Sequence, residues 1–351
     1  MSESVTIRGA VAQPGTGVPA PIAVLDNRRK LQLALGVSWL LDGVLQYQPS
    51  MFGKSFPQML TVSAQGNPAV LARPITWSAN IIDHHVVILN AIFATIQLML
   101  GLGIACRLTV KLALGASVAW SVAVWWFGEG FGGVLAGAAS PVNGAPGAVI
   151  LYAVAAILLW PADRDPRAPF VAGRAVGSRM ARLLWLVLWG SLAVLALTPA
   201  SRTPQAISGT IADMAAGEPA WLAWIDNHAA SALSHQGLLA SIVLAALSAA
   251  IAAGIYLPVR SVRIVIGLAL VVATVLWLAQ GLGGIFTGSA TDVDSAPLLA
   301  LLALAFWPAP APLQPAPAPA PLQPAPAPLQ PAPAPAPLQP APLGVTSAGG
   351  A

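Results

Sequence analysis

In a chain this apolar, the ionisable side chains that interrupt apolar runs are the first candidates for chemistry. Asp42 stands in the run that begins at Leu31, with Gly43 after it and Gln46 one helical turn on. Asp83-His84-His85 opens a second run, and Glu129 sits between Gly128 and Gly130 toward the end of a third. An ionisable group inside a membrane span is costly, so each is a functional candidate by default. A carboxylate with histidines suits a proton relay, a metal site, or a pocket that hydrogen-bonds a quinone headgroup. Glu129, His84 and Asp42 are the expected catalytic groups, and His85, Asp83, Gln46, His235 and Gln280 the expected contacts to a cofactor that the residues do not identify. Metal ligation is the weakest of these readings. Adjacent histidines point about 100° apart on a helix, and no i, i+4 pair is present.

Glu129 belongs to a stretch that occurs twice. Trp126 to Gly137 returns 151 positions later as Trp277 to Gly288, with the Trp and four glycines in register and Gln280 in place of Glu129. Glutamine fills the same volume and makes similar hydrogen bonds but cannot relay a proton. The exchange is consistent with chemistry kept in the first copy and structure in the second, and Leu192 against Asp42 points the same way where Trp189 to Pro199 repeats the spacing of Trp39 to Pro49, 150 positions on. A packing reading stands beside it, in which Gly130, Gly133 and Gly137 form a small-residue stripe on a helix with Glu129 at its edge. At the offset of 151 Pro219-Ala220 matches Pro68-Ala69, His235 matches His84, and Gly254 matches Gly103. Trp307-Pro308 closes the second half as Trp160-Pro161 closes the first. These matches predict a tandem duplication.

The elements that must position these residues follow from composition. Of 351 residues only 8% are charged, against about 25% in a soluble domain, and mean hydropathy is +0.75. So little charge cannot cover a surface in water, which makes the lipid bilayer the expected solvent. The net charge of +4 comes from arginines clustered in loops, a pattern of membrane topology rather than of nucleic-acid binding. Cys106 is the single cysteine, which excludes an intrachain disulfide and a CxxC pair. No phosphate loop, HExxH or Ser-His-Asp pattern is present.

The expected fold is all-α: a polytopic membrane protein of about eight transmembrane helices, arranged as two parallel four-helix units. The first spans are expected at 31–47, 81–106 and 112–135, with a polar connection over 50–79 and shorter apolar runs at 147–160 and 297–307. The resulting division is a flexible N-terminus (1–30), a first membrane unit (31–162), a basic linker (163–182), a second membrane unit (183–308) and a Pro/Ala-rich tail (309–351). Arginine and lysine placement puts both termini in the cytoplasm and the protein in the inner (cytoplasmic) membrane. The tail, with proline at nearly every second place, is expected to be polyproline II or disordered, and could serve as a spacer or docking strip.

The opening of the first unit, Leu35-Gly36-Val37-Ser38-Trp39-Leu40-Leu41-Asp42-Gly43-Val44-Leu45-Gln46, resembles the DoxX/DoxD-type membrane family. In that family a first helix with an (L/F)xxGxxK/Q-like ending leads to a polar outer loop and three more helices. The resemblance covers about 30–162 and, more weakly, 183–308, and the fused double unit departs from the family. It implies a small integral membrane component of redox systems, including a thiosulfate:quinone oxidoreductase subunit. The implied partner is a quinone or another small ligand near the outer face. The alternative is a non-enzymatic scaffold or accessory subunit that docks other protein subunits through its helices or tail. The resemblance assigns a catalytic role to none of the residues above.

Overall fold

A computed structural model describes residues 22–308; residues 1–21 and the Pro/Ala-rich tail from 309 lie outside the described residues, while 22–30 of the expected flexible N-terminus are helical, as the start of α1. The described chain is helical without a strand. In order it forms α1 (Ile22–Leu45), α2 (Ser55–Ser63), α3 (Ala69–His84), α4 (Val86–Ala105), α5 (Val110–Phe127), α6 (Ala148–Leu158) and α7 (Val171–Val176). The second half continues with α8 (Ser178–Ala196), α9 (Ala206–Met214), α10 (Ala220–Ala232), α11 (Gly237–Gly254), α12 (Val259–Ala279) and α13 (Ser295–Ala305).

Five of these, α4, α5, α8, α11 and α12, are long and apolar enough to cross a membrane. Their outward faces carry Ile88, Met99, Val194, Ile264 and Val271 fully in the open. A patch of this kind would be a liability in water and is at home in hydrocarbon. The two short apolar helices differ. At 11 residues and about 1.5 Å per residue, α6 and α13 fall well short of the roughly 30 Å hydrocarbon layer. They are instead buried against each other and against α5 and α12. Leu151, Tyr152, Ala156, Leu298, Leu302 and Ala303 are all sealed in the core there. Trp39, Trp185, Trp189 and Phe306 complete that core, with the tilted rings of Trp39 and Tyr152 4.1 Å apart and those of Trp185 and Phe306 4.8 Å apart.

Helix α1 is long enough to span, but its first part carries Asp26, Arg28, Arg29 and Lys30. These charges have structural work. Arg28 pairs with Asp163 at 2.8 Å, and Gln32 donates to the Leu159 carbonyl at 2.9 Å near the end of α6. Arg29 donates to the Ile104 and Ala105 carbonyls, where a cation also complements the C-terminal end of the α4 dipole.

Four boundaries differ from expectation. The polar stretch 50–79 is largely helical, as α2 and most of α3. Its apolar residues fall on one face, with Ile75, Ala79 and Ile82 buried at helical spacing, but Pro74 and the polar opposite face mask the period. The expected second span, 81–106, is broken at His85, where φ/ψ of −133°/31° separates α3 from α4. The expected third span, 112–135, stops at Phe127, so the glycine-rich stretch is a turn and not a helical packing stripe. Part of the expected linker is also helical, as α7 and the start of α8.

Candidate functional site

Glu129 is positioned by the way α5 ends. After Phe127 the chain enters a turn in which Gly130, Phe131, Gly132 and Gly133 all have φ between 54° and 69°. Left-handed residues in series reverse the chain within four positions, and three of the four being glycine keeps the strain small. The reversal folds the turn onto the segment before α6. Trp125 Nε1 donates to the Pro146 carbonyl at 2.7 Å, and the Phe131 ring stacks edge-on against Trp125 at 4.7 Å. Glu129 Oε1 accepts from the Val149 N–H at 3.1 Å, in the first turn of α6. Its Oε2 is buried against Gly147, where even a methyl group would have no room, and it has no hydrogen-bond partner.

Asp42 comes from the last turn of α1 and is 1% exposed. Its Oδ1 accepts from the Val293 N–H at 3.2 Å, in the loop that precedes α13. That loop is internally braced: Asp292 accepts from the Asp294 N–H at 2.7 Å and from the Thr291 hydroxyl at 3.0 Å, while Asp294 caps α13 through the Ser295 N–H. Gln280, the counterpart of Glu129 in the repeated stretch, is 2% exposed and donates to the Pro141 carbonyl at 3.0 Å.

Two chambers meet at these residues. The first, about 350 Å³, is walled by Phe56, Phe93, Trp120 and Phe127 and carries Asp42, Gln46, Gln97, Glu129 and Asp292 as its polar groups. Exposed Met59 and Trp77 also line it, so one side reaches the apolar exterior. The second, about 530 Å³, is polar, lined by Asn143, Asp213, Gln280, Thr287, Asp292 and Asp294 among others, and shares Glu129 with the first. No Lys, Arg or His lines either chamber. Burial pushes the Glu129 and Asp292 carboxyls above the usual carboxylate range, with Asp292 adding to the effect on Glu129. Burial and the neighbouring Asp292 push Asp294 up to about 6.

Of the residues expected from sequence, Asp42, Gln46 and Glu129 meet in the aromatic chamber, and Gln280 lies on the polar one. The other four lie elsewhere. Asp83 is ion-paired to Lys54 at 2.7 Å on the surface. His84 is exposed, its Nδ1 2.7 Å from the Asn80 carbonyl of its own helix, and His85 is exposed at the break after α3. These three fall off the face of α3 that buries Ile75, Ala79 and Ile82, which is why proximity in sequence to the apolar run does not carry them inward. His235 is exposed, with φ of 64°, 3.4 Å from Gln205. Among the described residues no group of three or more His, Cys, Asp or Glu side chains is arranged to hold a metal.

Sequence reasoning missed Gln97 and Asp292. Gln97 is one of two amides, with Asn90, inside the apolar run of α4, a signal comparable to Asp42 in α1. Asp292 lies in the loop before α13, outside the apolar runs that drew attention to Asp42 and Glu129. A further buried carboxyl pair, Glu218 and Asp226, was also missed. Glu218 lies against Gly281, and burial with the neighbouring Asp226 raises it to about 7. A carboxyl above its ordinary 4.5 in the folded state contributes stability that is fully present below 4.5 and lost as pH rises through about 7. The thermal midpoint of the purified protein should therefore fall between pH 5 and 8, and Glu218→Gln should remove about half of that fall. An equally steep fall in the variant would assign the pH dependence to other groups.

No family model, curated protein or solved structure matches this chain.

Proposed function

We propose that this is a polytopic membrane protein of two fused, parallel four-helix units, DoxX-like in kind, that binds a quinone or similar lipid-soluble ligand as part of a redox system. The observation that carries the reading is the aromatic chamber. Its walls suit a flat apolar ring system, and its apolar side suits a ligand that arrives through lipid. The polar groups are few, and several lack a partner within the protein: Gln46 Oε1, Gln97 Oε1, Trp120 Nε1 and Glu129 Oε2 are buried without a hydrogen bond. Buried polar atoms in native proteins are nearly always satisfied, so orphans gathered on one cavity argue for a hydrogen-bonding occupant.

The duplication is supported by element positions. α2 and α9, α3 and α10, α4 and α11, and the two glycine turns at Gly130 and Gly281 all start 151 residues apart. In this reading α1, α6, α8 and α13 complete the two units, the chamber lies toward the outer membrane face, and both termini are cytoplasmic.

The test is direct binding. Decylubiquinone added to the protein in nanodiscs should quench tryptophan fluorescence saturably, through Trp39, Trp77 and Trp120 around the chamber. Glu129→Ala should weaken binding about tenfold, the equivalent of one hydrogen bond of about 1.4 kcal/mol, and lower the thermal midpoint because the Val149 N–H loses its acceptor. Linear, unsaturable quenching identical in wild type and variant would remove the chamber as a quinone site.

A further inference from the structure

A ligand with a phenol or quinol headgroup exchanges protons, and the aromatic chamber offers no evident way for them to arrive. Its exposed lining residues, Met59 and Trp77, have apolar side chains that cannot carry a proton. The polar chamber lies on the other side of a shared wall formed by Met59, Glu129, Thr291 and Asp292, of which only the two carboxyls can ionise to hold and release a proton. Asp42 faces the aromatic chamber alone.

The groups facing this wall are all acidic or neutral. They are Asp42 from α1, Glu129 from the turn after α5, Asp213 from α9, and Asp292 and Asp294 from the loop before α13, with Tyr152 of α6 packed in the core beside Asp42. Amide side chains that carry an unpartnered oxygen, each more than nine-tenths buried, line both sides. Gln46 and Gln97 are 6% and 7% exposed on the aromatic chamber, and Gln280 is 2% exposed on the polar one. Asp292 is held in place by the Asp294 N–H and the Thr291 hydroxyl, one residue from the Val293 N–H that binds Asp42.

Resting on the reading that the aromatic chamber holds a ligand, we propose that Asp292, together with Glu129, passes protons between the polar chamber and the headgroup of that ligand. The transfer moves one proton at a time between a carboxyl and a ligand oxygen and requires no electron donor. A carboxyl suits this task when it holds and releases its proton near neutral pH. The raised values at Asp292 and at its neighbour Asp294, the latter about 6, are in keeping with it.

The experiment uses a 4-nitrophenol bearing a decyl chain, whose absorbance reports its ionisation. It is bound to the full chain in nanodiscs and subjected to a pH jump in a stopped-flow instrument. Bound nitrophenol should ionise in a resolved phase in the wild type and at least tenfold more slowly in Asp292→Asn, while Asp292→Glu keeps a rate near wild type. A wild-type rate in Asp292→Asn overturns the proposal, as does wild-type ionisation complete within the mixing time. Loss of binding in Asp292→Asn with binding kept in Asp292→Glu overturns it too, by making Asp292 a ligand contact. Absence of nitrophenol binding to the wild type overturns both this proposal and the ligand reading, whereas binding with an unchanged rate overturns the proton route alone.

Discussion

Gly132→Ala is expected to lose about 2–4 kcal/mol of stability, with most of the protein failing to remain monodisperse after solubilisation. A Cβ at this position would lie 2.2 Å from the Pro146 carbonyl oxygen and 2.4 Å from its carbon. Those are backbone atoms, and the carbonyl is already fixed by the Trp125 indole at 2.7 Å, so neither side can yield cheaply. Separation of the turn from the Pro146-Gly147 segment would also move Glu129 away from Val149 and open the wall between the chambers. Gly137→Ala is the matched control. Its φ of +73° carries the same left-handed penalty, of about 1 kcal/mol, but nothing lies within 4 Å of the added methyl. Thermal melts of the two variants isolate the close approach from the backbone conformation. Equal midpoints would mean that the turn does not depend on its contact with Pro146.

This turn also marks where sequence reasoning reaches its limit. The long apolar runs locate α4 and α5, though not their ends, because about 20 apolar residues have few other homes. Around Gly130 the apolar character continues through Val134 and Leu135, so composition alone favours a longer helix with a glycine stripe. What decides otherwise is tertiary. The backbone at Ser63 and Pro146 comes so close to the glycines that only a turn lacking Cβ atoms fits. The same reasoning explains the mixed outcome for the polar candidates. Asp42 and Glu129 could be read as inward because a carboxyl among apolar residues has few alternatives. His84 could not, because its direction depends on the face of an amphipathic helix whose period was masked by Pro74. Asp292 was beyond reach for a different reason: its importance comes from lying beside Val293, which meets Asp42 across 251 positions of chain.

That long-range contact supports the second large effect, a contrast between two substitutions at Asp42. Asp42→Leu removes the acceptor for the buried Val293 N–H, and leaving such a donor unpaired costs about 1–3 kcal/mol beyond any change in packing. The loop carrying Asp292 and Asp294 should loosen, seen as faster hydrogen exchange at the Val293 amide, and decylubiquinone binding should weaken at least tenfold. Asp42→Asn keeps a side-chain oxygen in the same place and should lose less than about 1 kcal/mol. The pair separates two roles that a single variant would merge. If Asp42 serves chiefly to anchor the loop, the Asn variant restores hydrogen-exchange protection and ligand affinity together. If its acid is also used, protection returns but the pH dependence of binding stays altered. Equal protection at Val293 in the Leu and Asn variants would show that the loop is held by its own braces at Asp292 and Asp294. The link between α1 and the loop before α13 would then not be what joins the two chambers.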